Sequence, residues 1–224
     1  TCGLARNTAA KYLECFRKVL KVAQQKGWME HGKFLEELGE LCVKEETYPS
    51  FLDWDELRTV METDMPAGRL ERVKDVFVFC ALTGLSYQGI STLCPSHLFR
   101  DDEGTLWICR TRAEGAEVGD SCTSRVPLLK PAMVLLEKYR GWNLMNPEGP
   151  CFPVPSVQKM NEYLKEVAAR CRISKRLTTQ MARNTFAATV TLANRIPKEH
   201  VREMLGYSSD YMLRHYMQAQ ERNL

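Results

Sequence analysis

Residues 177–216 restrict the fold of this chain more than any other part, because they predict two helices joined by a turn and a third helix that carries a tyrosine. Thr178 and Thr179 are candidate N-caps, since a threonine side chain can accept a free backbone N–H of the first turn. The apolar residues that follow have helical spacing: Met181, Phe186, Ala187, Val190 and Leu192. The pattern predicts a first helix with an apolar face, ending near Asn194.

The second and third helices of this stretch are indicated by their end residues. Proline suits the first turn of a helix and glycine suits the position after its end, so a second helix is predicted from Pro197 to Gly206. Ser208 and Ser209 are candidate caps for a last helix that ends near Tyr216. The stretch therefore places a polar residue type, tyrosine, at the end of a compact helical unit.

Arg183 stands on the first of these helices among small and apolar neighbours, and Gln180 lies three residues earlier on the same face. The whole stretch resembles the C-terminal half of the catalytic domain of the tyrosine recombinases, the phage-integrase family. The matching residues are Leu177, Thr178, Arg183, Thr185, Phe186, Ala187, Pro197, Val201, Leu205, Gly206, Ser209 and Tyr216. The resemblance implies that Tyr216 is the nucleophile and that Arg183 clamps the scissile phosphate.

Several positions of the family pattern are occupied by other residues. The two histidines of the first block are replaced by Gln180 and Asn184, and the histidine after the glycine is replaced by Tyr207. In residues 83–90 the family pattern has an arginine where this chain has Ser86, and a glutamate where it has Gly89. A serine can donate one hydrogen bond but cannot neutralise a phosphate.

The family's catalytic lysine lies in a turn before the third strand, and there this chain has Arg112. Arginine is not deprotonated in proteins, so Arg112 can stabilise charge but is a poor proton donor to the leaving oxygen. His215, next to the tyrosine, is either a solvated surface residue or a substitute proton donor. The pattern predicts an active site that is impaired or uses rearranged partners.

The predicted fold is mainly α with a small three-stranded antiparallel β-sheet. Helices are predicted at about 6–27, 34–41, 54–64, 70–83, 131–140 and 155–171, and strands at 98–99, 106–109 and 123–128. Asp53 and Glu56 have the spacing of a capping box. The resemblance implies the tyrosine-recombinase catalytic fold in residues 46–224, preceded in residues 1–45 by the C-terminal part of a helical, DNA-binding core-binding domain and a linker.

Charge is distributed unevenly along the chain. The net charge is +3, but residues 172–224 carry nine lysines and arginines against four acids, and residues 1–45 carry eight against six, which leaves the middle acidic. Basic ends are compatible with a DNA-facing surface and equally with ordinary solvated helices. The candidate DNA contacts are Lys11, Arg17, Lys18, Lys21, Lys175 and Arg176.

The nine cysteines include no C-x-x-C pair, so they are interpreted as free thiols in a reducing cytoplasm rather than as metal ligands or disulfides. No apolar run is long enough to span a membrane and no secretory signal is visible. The first residue is not methionine, so the chain is interpreted as a fragment. We expect no cofactor, and a cytoplasmic protein of a bacterium, phage or mobile element.

The resemblance implies a site-specific recombinase or integrase that breaks and rejoins DNA through a 3′-phosphotyrosyl intermediate. Its implied partners are double-stranded DNA and further copies of itself, since the family acts as a tetramer on DNA; a monomer is expected in isolation. The first alternative is a catalytically inactive, recombinase-derived DNA-binding protein or regulatory partner. The second is a helical scaffold that binds protein, which the acidic middle would favour.

Overall fold

The structure is a computed structural model that describes residues 4–30, 33–43, 45, 48–110 and 124–221. The chain divides into two compact units, Thr1–Thr47 and Tyr48–Leu224. No helix in the described parts of the chain is long and apolar enough to cross a membrane.

The first unit contains two helices, α1 (Arg6–Gln25) and α2 (Phe34–Leu41), which contact each other. Arg17 on α1 reaches across to α2, where its Nε donates to the carbonyl of Leu35 at 3.1 Å. A Cβ at Gly39 would lie 2.9 Å from Nη2 of Arg17, so the glycine leaves room for the guanidinium. Arg17 therefore joins the two helices.

The second unit is organised around α4. Its helices before the sheet are α3 (Trp54–Glu62), α4 (Arg69–Thr83) and α5 (Tyr87–Ser91). Residues 75–83 of α4 are all buried, which is typical of a central helix that is apolar on every side. The capping box that the sequence predicts at α3 is present, with Asp53 Oδ1 accepting from the Glu56 N–H and Glu56 Oε2 accepting from the Asp53 N–H.

The predicted three-stranded antiparallel sheet is confirmed. Its strands are β1 (Leu98–Arg100), β2 (Leu106–Arg110) and β3 (Ser124–Pro127), in the order β1-β2-β3. Ile108 pairs with Leu98 on one side and with Val126 on the other, and Ile108 and Val126 are both buried. One face of the sheet thus joins the core that surrounds α4.

The helices after the sheet are α6 (Lys130–Lys138), α7 (Arg140–Met145), α8 (Val157–Arg170), α9 (Thr179–Thr185), α10 (Lys198–Leu205) and α11 (Tyr211–Glu221). Thr178 is the N-cap of α9, as predicted, and accepts from the Met181 N–H at 3.0 Å. Gly206 ends α10 in the left-handed conformation, with φ +63°. The short helices α5 and α7 were not predicted.

The first helix of residues 177–216 ends at Asn194, as predicted, but its geometry changes along the way. After α9 it continues as a π-helical segment, Phe186–Thr191, and then as a 3₁₀ turn, Leu192–Asn194. Thr189 and Thr191 donate to the carbonyls of Leu52 and Ala187, and side chains that bond to the backbone compete with the regular helical ladder. The last helix does not end near Tyr216 but runs to Glu221, because Leu213, Tyr216 and Ala219 form a continuous buried face.

Candidate active site

The structure brings the predicted site residues of the C-terminal stretch together. Gln180 and Arg183 lie on α9, Tyr207 follows α10, and Tyr216 lies in the middle of α11. They meet at Asn184 of α9, a residue for which the sequence predicted no role. We call Gln180, Arg183, Asn184, Tyr207 and Tyr216 the polar cluster.

Arg183 is held by the backbone of two other elements. Its Nη1 donates to the carbonyl of Gly84 at 2.5 Å and its Nη2 donates to the carbonyl of Leu205 at 2.6 Å. Its Nε donates to the hydroxyl of Tyr207 at 3.4 Å, and its guanidinium lies 5.0 Å from the centre of the Tyr207 ring. A guanidinium has five N–H groups, so these bonds leave one N–H on each terminal nitrogen. Arg183 ties the ends of α4 and α10 together and keeps two donors for a ligand.

Tyr216 is fully buried, with 0% of its surface exposed. Its hydroxyl donates to Asn184 Oδ1 at 3.0 Å and lies 3.4 Å from the hydroxyl of Tyr207. Asn184 is oriented by its other bonds, since its Nδ2 donates to the carbonyl of Ser50 at 2.9 Å and its Oδ1 also accepts from Gln180 Nε2 at 3.0 Å. The tyrosine is therefore held in place by an amide whose own orientation is fixed.

These contacts determine the direction of each hydrogen bond. The Tyr216 hydroxyl has one proton, which it donates to Asn184 in a hydrogen bond. In the contact with Tyr207, the oxygen of Tyr216 must therefore be the acceptor and the Tyr207 hydroxyl the donor. The oxygen of Tyr207 in turn accepts from Nε of Arg183. Donors thus run from Arg183 through Tyr207 to the oxygen of Tyr216, where negative charge would develop in a nucleophilic attack.

The pKa of Tyr216 is raised well above the ordinary value for a phenol. Burial is the main cause, and the positive charge of Arg183 opposes it. Tyr216 is consequently a neutral phenol at physiological pH. An amide oxygen cannot take up a proton, so Asn184 positions the tyrosine without serving as its base.

Three solved structures resemble the chain closely in fold. The integrase of the transposon Tn1549, in complex with a circular intermediate DNA, covers 99% of this chain and 81% of its own, with a TM-score of 0.72 and 14% sequence identity. The match to XerA recombinase covers 96% of this chain and 81% of the XerA chain, with a TM-score of 0.60 and 18% identity. The match to a lambda integrase dimer bound to a COC′ core site covers 94% of this chain and 73% of the integrase chain, with a TM-score of 0.65 and 14% identity. The chain has the tyrosine-recombinase catalytic-domain fold.

At these identities the likeness establishes the fold alone. No protein-family model matches the sequence, and no curated protein matches it.

Ser86, at the arginine position of the family pattern, is used as a helix cap. It is the N-cap of α5, and its Oγ accepts from the N–H of Gly89 at 3.1 Å. The nearby cation is Arg110 of β2, which donates to the carbonyl of Gly89 and, at 2.7 Å, to Oγ1 of Thr92. A Cβ at Gly89 would lie 3.0 Å from Nη1 of Arg110. The contact between Arg110 and Gly89 was not predicted from the sequence. Two features of the sequence could have indicated it: the absence of a side chain at Gly89 and the arginine at the end of a strand.

The arginine at the family's lysine position, Arg112, lies outside the described residues. Within the described parts of the chain, no group of three or more histidine, cysteine or acidic side chains could hold a metal ion. The cysteines that the structure describes are free thiols.

The candidate DNA contacts differ in their availability. Lys11, Lys21 and Arg176 are exposed, and Lys18 is exposed but lies 3.8 Å from Glu14. Lys175 is engaged within the second unit: its Nζ donates to Glu56 Oε2 at 2.6 Å and to the carbonyl of Phe51 at 3.1 Å.

His215 does not join the polar cluster. Its ring packs edge-on against Tyr211, with ring centres 4.8 Å apart. This contact supports the interpretation of His215 as a surface residue of α11.

Gly84 is the position where a small change should disturb the site most. It has φ +71°, and a Cβ there would lie 2.5 Å from Cδ1 of Phe186 and 2.9 Å from Cδ2 of Leu205. We expect Gly84→Ala to lower the free energy of unfolding by about 3 kcal/mol, from overpacking and left-handed strain together. Urea denaturation followed by circular dichroism measures this. Gly104→Ala is the matched control, because Gly104 has φ +82° with nothing within 4 Å of its added Cβ; equal losses in the two variants would contradict the packing argument.

Proposed function

We propose that the chain is a site-specific DNA strand transferase. The hydroxyl oxygen of Tyr216 attacks a phosphodiester and loses its proton to solvent, the phosphorus–oxygen bond to the 5′-oxygen breaks, and that oxygen takes up a proton from solvent. A 3′-phosphotyrosyl link and a free 5′-hydroxyl result. A second 5′-hydroxyl then attacks the link and releases the tyrosine. The observation that carries the proposal is the direct sequence of contacts from Arg183 through Tyr207 to Tyr216, on a recombinase catalytic fold.

The residues of the polar cluster have separate roles in this proposal. The two remaining N–H groups of Arg183 bind non-bridging phosphate oxygens, for which the planar guanidinium is well suited. Tyr207 donates to the oxygen of Tyr216 and stabilises the charge that appears as its proton leaves. Arg112 stabilises charge at the phosphate in this proposal. No metal or nucleotide is required, because the covalent link conserves the energy of the broken bond.

In this proposal the structure describes a closed state of the site, in which Tyr216 is not accessible to DNA. Tyr216 has no exposed surface, and its hydroxyl donates a hydrogen bond to Asn184 Oδ1. To reach a phosphodiester, Tyr216 must leave Asn184 through a displacement of α11, and in this proposal its oxygen keeps the hydrogen bond from Tyr207. Asn184 is thus a positioning residue that stabilises the closed state by about one neutral hydrogen bond, roughly 1 kcal/mol.

Removing the hold on the tyrosine should change the rate of cleavage. We expect Asn184→Ala to increase the rate of covalent adduct formation about fivefold, since roughly 1 kcal/mol of ground-state stabilisation is lost. Single-turnover kinetics on a nicked DNA substrate measures the rate. Gln180→Ala is the matched control, because it removes a neighbour of Asn184 and leaves the bond to Tyr216. A slower Asn184→Ala variant would show that the amide acts in the reaction and not against it.

The proposed partner is double-stranded DNA. The three structures compared above include an integrase bound to a circular intermediate and a dimer bound to a core site. We propose that residues 1–45 are the end of a core-binding domain and that Lys11, Lys18, Lys21 and Arg176 contact phosphates, with several copies assembling on DNA. We also propose that the protein is cytoplasmic and is encoded by a mobile element. Binding should then weaken steeply as salt rises.

A DNA-binding protein without cleavage activity is the second candidate function. It is favoured by the full burial of Tyr216 and by the use of the Ser86 hydroxyl as a helix cap. The two candidates are separated by one experiment. Duplexes are first selected from a random pool by binding, and the selected site is then prepared with a nick next to the scissile phosphate, so that the released fragment diffuses away. A denaturation-resistant protein–DNA adduct supports the transferase, and binding without adduct supports the second candidate.

A further inference from the structure

A cavity of about 430 Å³ lies on the second unit, away from the polar cluster. Its lining includes Arg69 and Arg72 from the start of α4, Trp142 from α7, and Lys159 and Tyr163 from α8. Gly84, which contacts Arg183, ends α4 at its other terminus, about 18 Å from Arg72 at 1.5 Å per residue. The cavity is therefore separate from the site proposed for DNA cleavage.

The remaining wall of the cavity is residues 150–155, and it is anchored at several points. Phe152 is fully buried, with its ring centre 4.6 Å from that of Phe79 and 5.0 Å from that of Tyr139. The carbonyl of Pro150 accepts from Trp142 Nε1 at 3.0 Å, and the carbonyl of Pro155 accepts from the Tyr87 hydroxyl at 2.9 Å. With proline φ angles fixed as well, the cavity is formed before any ligand arrives.

The rim of the cavity carries more positive than negative charge. Arg69 lies over the ring of Tyr163 at 5.0 Å and 3.7 Å from Glu166 Oε2. Arg72 and Lys159 are exposed and form no ion pair with the described carboxylates. The nearby acids Glu71 and Asp75 are engaged elsewhere, with Lys138 at 2.7 and 2.6 Å. An occupant that bears negative charge would thus meet cations whose charge is not already neutralised.

We propose that this cavity binds an acidic peptide segment of a partner protein, anchored by an aromatic side chain. The aromatic and proline wall suits a planar apolar group, and the rim suits carboxylates on either side of it. Compact phosphate sites commonly add backbone N–H groups to their cations, and Pro150, Pro153 and Pro155 of this wall have no N–H to supply. A duplex presents an extended array of phosphates and binds to open basic faces, so it would leave a recess of this size empty.

The test uses the whole chain and a fluorescein-labelled peptide of aspartates and glutamates with two central phenylalanines, followed by fluorescence anisotropy. We expect saturable binding that is about tenfold weaker in Lys159→Glu and in Arg72→Glu. Lys159→Glu should fold, because Ser156 and a glutamate three residues later form a capping box at the start of α8. Lys165→Glu, on an exposed part of the same helix outside the cavity, should change binding less than twofold. A peptide with serines in place of the phenylalanines should bind about fivefold more weakly.

Three results would overturn the proposal. The first is absence of saturable binding to the peptide. The second is equal weakening by Lys165→Glu and Lys159→Glu, which would reduce the effect to general surface charge. The third is displacement of the peptide by an unrelated DNA duplex, with duplex binding lowered by the same cavity variants, which would make the cavity part of a nucleic-acid surface. None of these outcomes depends on whether Tyr216 cleaves DNA.

Discussion

Tyr216→Phe is expected to abolish the covalent protein–DNA adduct completely while leaving the fold and DNA binding intact. The substitution removes only the hydroxyl oxygen that would attack the phosphorus. The ring keeps its buried position against α9, and the lost hydrogen bond to Asn184 costs about 1 kcal/mol of unfolding free energy. Adduct is measured on the nicked duplex by denaturing gel electrophoresis, and stability by urea denaturation.

Tyr211→Phe is the matched control for this experiment. Tyr211 lies on the same helix but is 59% exposed and has its ring against His215. The proposal requires full adduct yield from Tyr211→Phe. Adduct that persists in Tyr216→Phe and disappears in Tyr211→Phe would transfer the nucleophile to Tyr211.

Arg183 is expected to have the second largest effect, on both chemistry and stability. Arg183→Ala leaves the carbonyls of Gly84 and Leu205 without their partner, which should cost about 3 kcal/mol of unfolding free energy. Arg183→Lys keeps the positive charge but loses the planar guanidinium. This variant should be more stable than Arg183→Ala and should still lose about 10²–10³-fold in the rate of adduct formation. Single-turnover kinetics and urea denaturation measure the two effects separately.

Arg202→Ala is the control for charge. Arg202 lies on α10, 3.4 Å from Asp210, and takes no part in the polar cluster. It should reduce DNA binding no more than any surface arginine and leave the adduct rate of bound protein unchanged. If Arg183→Lys cleaves at the wild-type rate, Arg183 does not bind the scissile phosphate and serves only to join α4 to α10.

The fold could be predicted from the sequence because its signals are local. Helical spacing, the caps at Asp53 and Thr178 and the glycine at 206 specify where helices begin and end. The change to strand-like residues specified the sheet, which the structure confirms. The predicted end of α11 was wrong, because the burial of Ala219 extends the helix past Tyr216 and such burial is a tertiary effect.

The site could be predicted only in part. The resemblance named Arg183 and Tyr216, and their roles stay predictions. The contacts that join them depend on residues distant in the sequence: Arg183 is 99 residues from Gly84, and Asn184 is 32 residues from Tyr216 and 134 from Ser50. No local pattern specifies such pairs. The cap formed by Ser86 was predictable from the sequence, since serine is a common N-cap.

Tryptic mapping of the trapped adduct tests the central claim most directly. Cleavage after Arg214 and Arg222 releases residues 215–222, which contain Tyr216 and no other tyrosine, whereas Tyr207 and Tyr211 lie together in residues 203–214. After nuclease trimming of the DNA, mass spectrometry should find the residual 3′-phosphonucleotide on the peptide 215–222, with fragment ions that place it on Tyr216. A nucleotide on peptide 203–214, or a bound duplex that yields no modified peptide at all, would contradict the assignment of Tyr216 as the nucleophile.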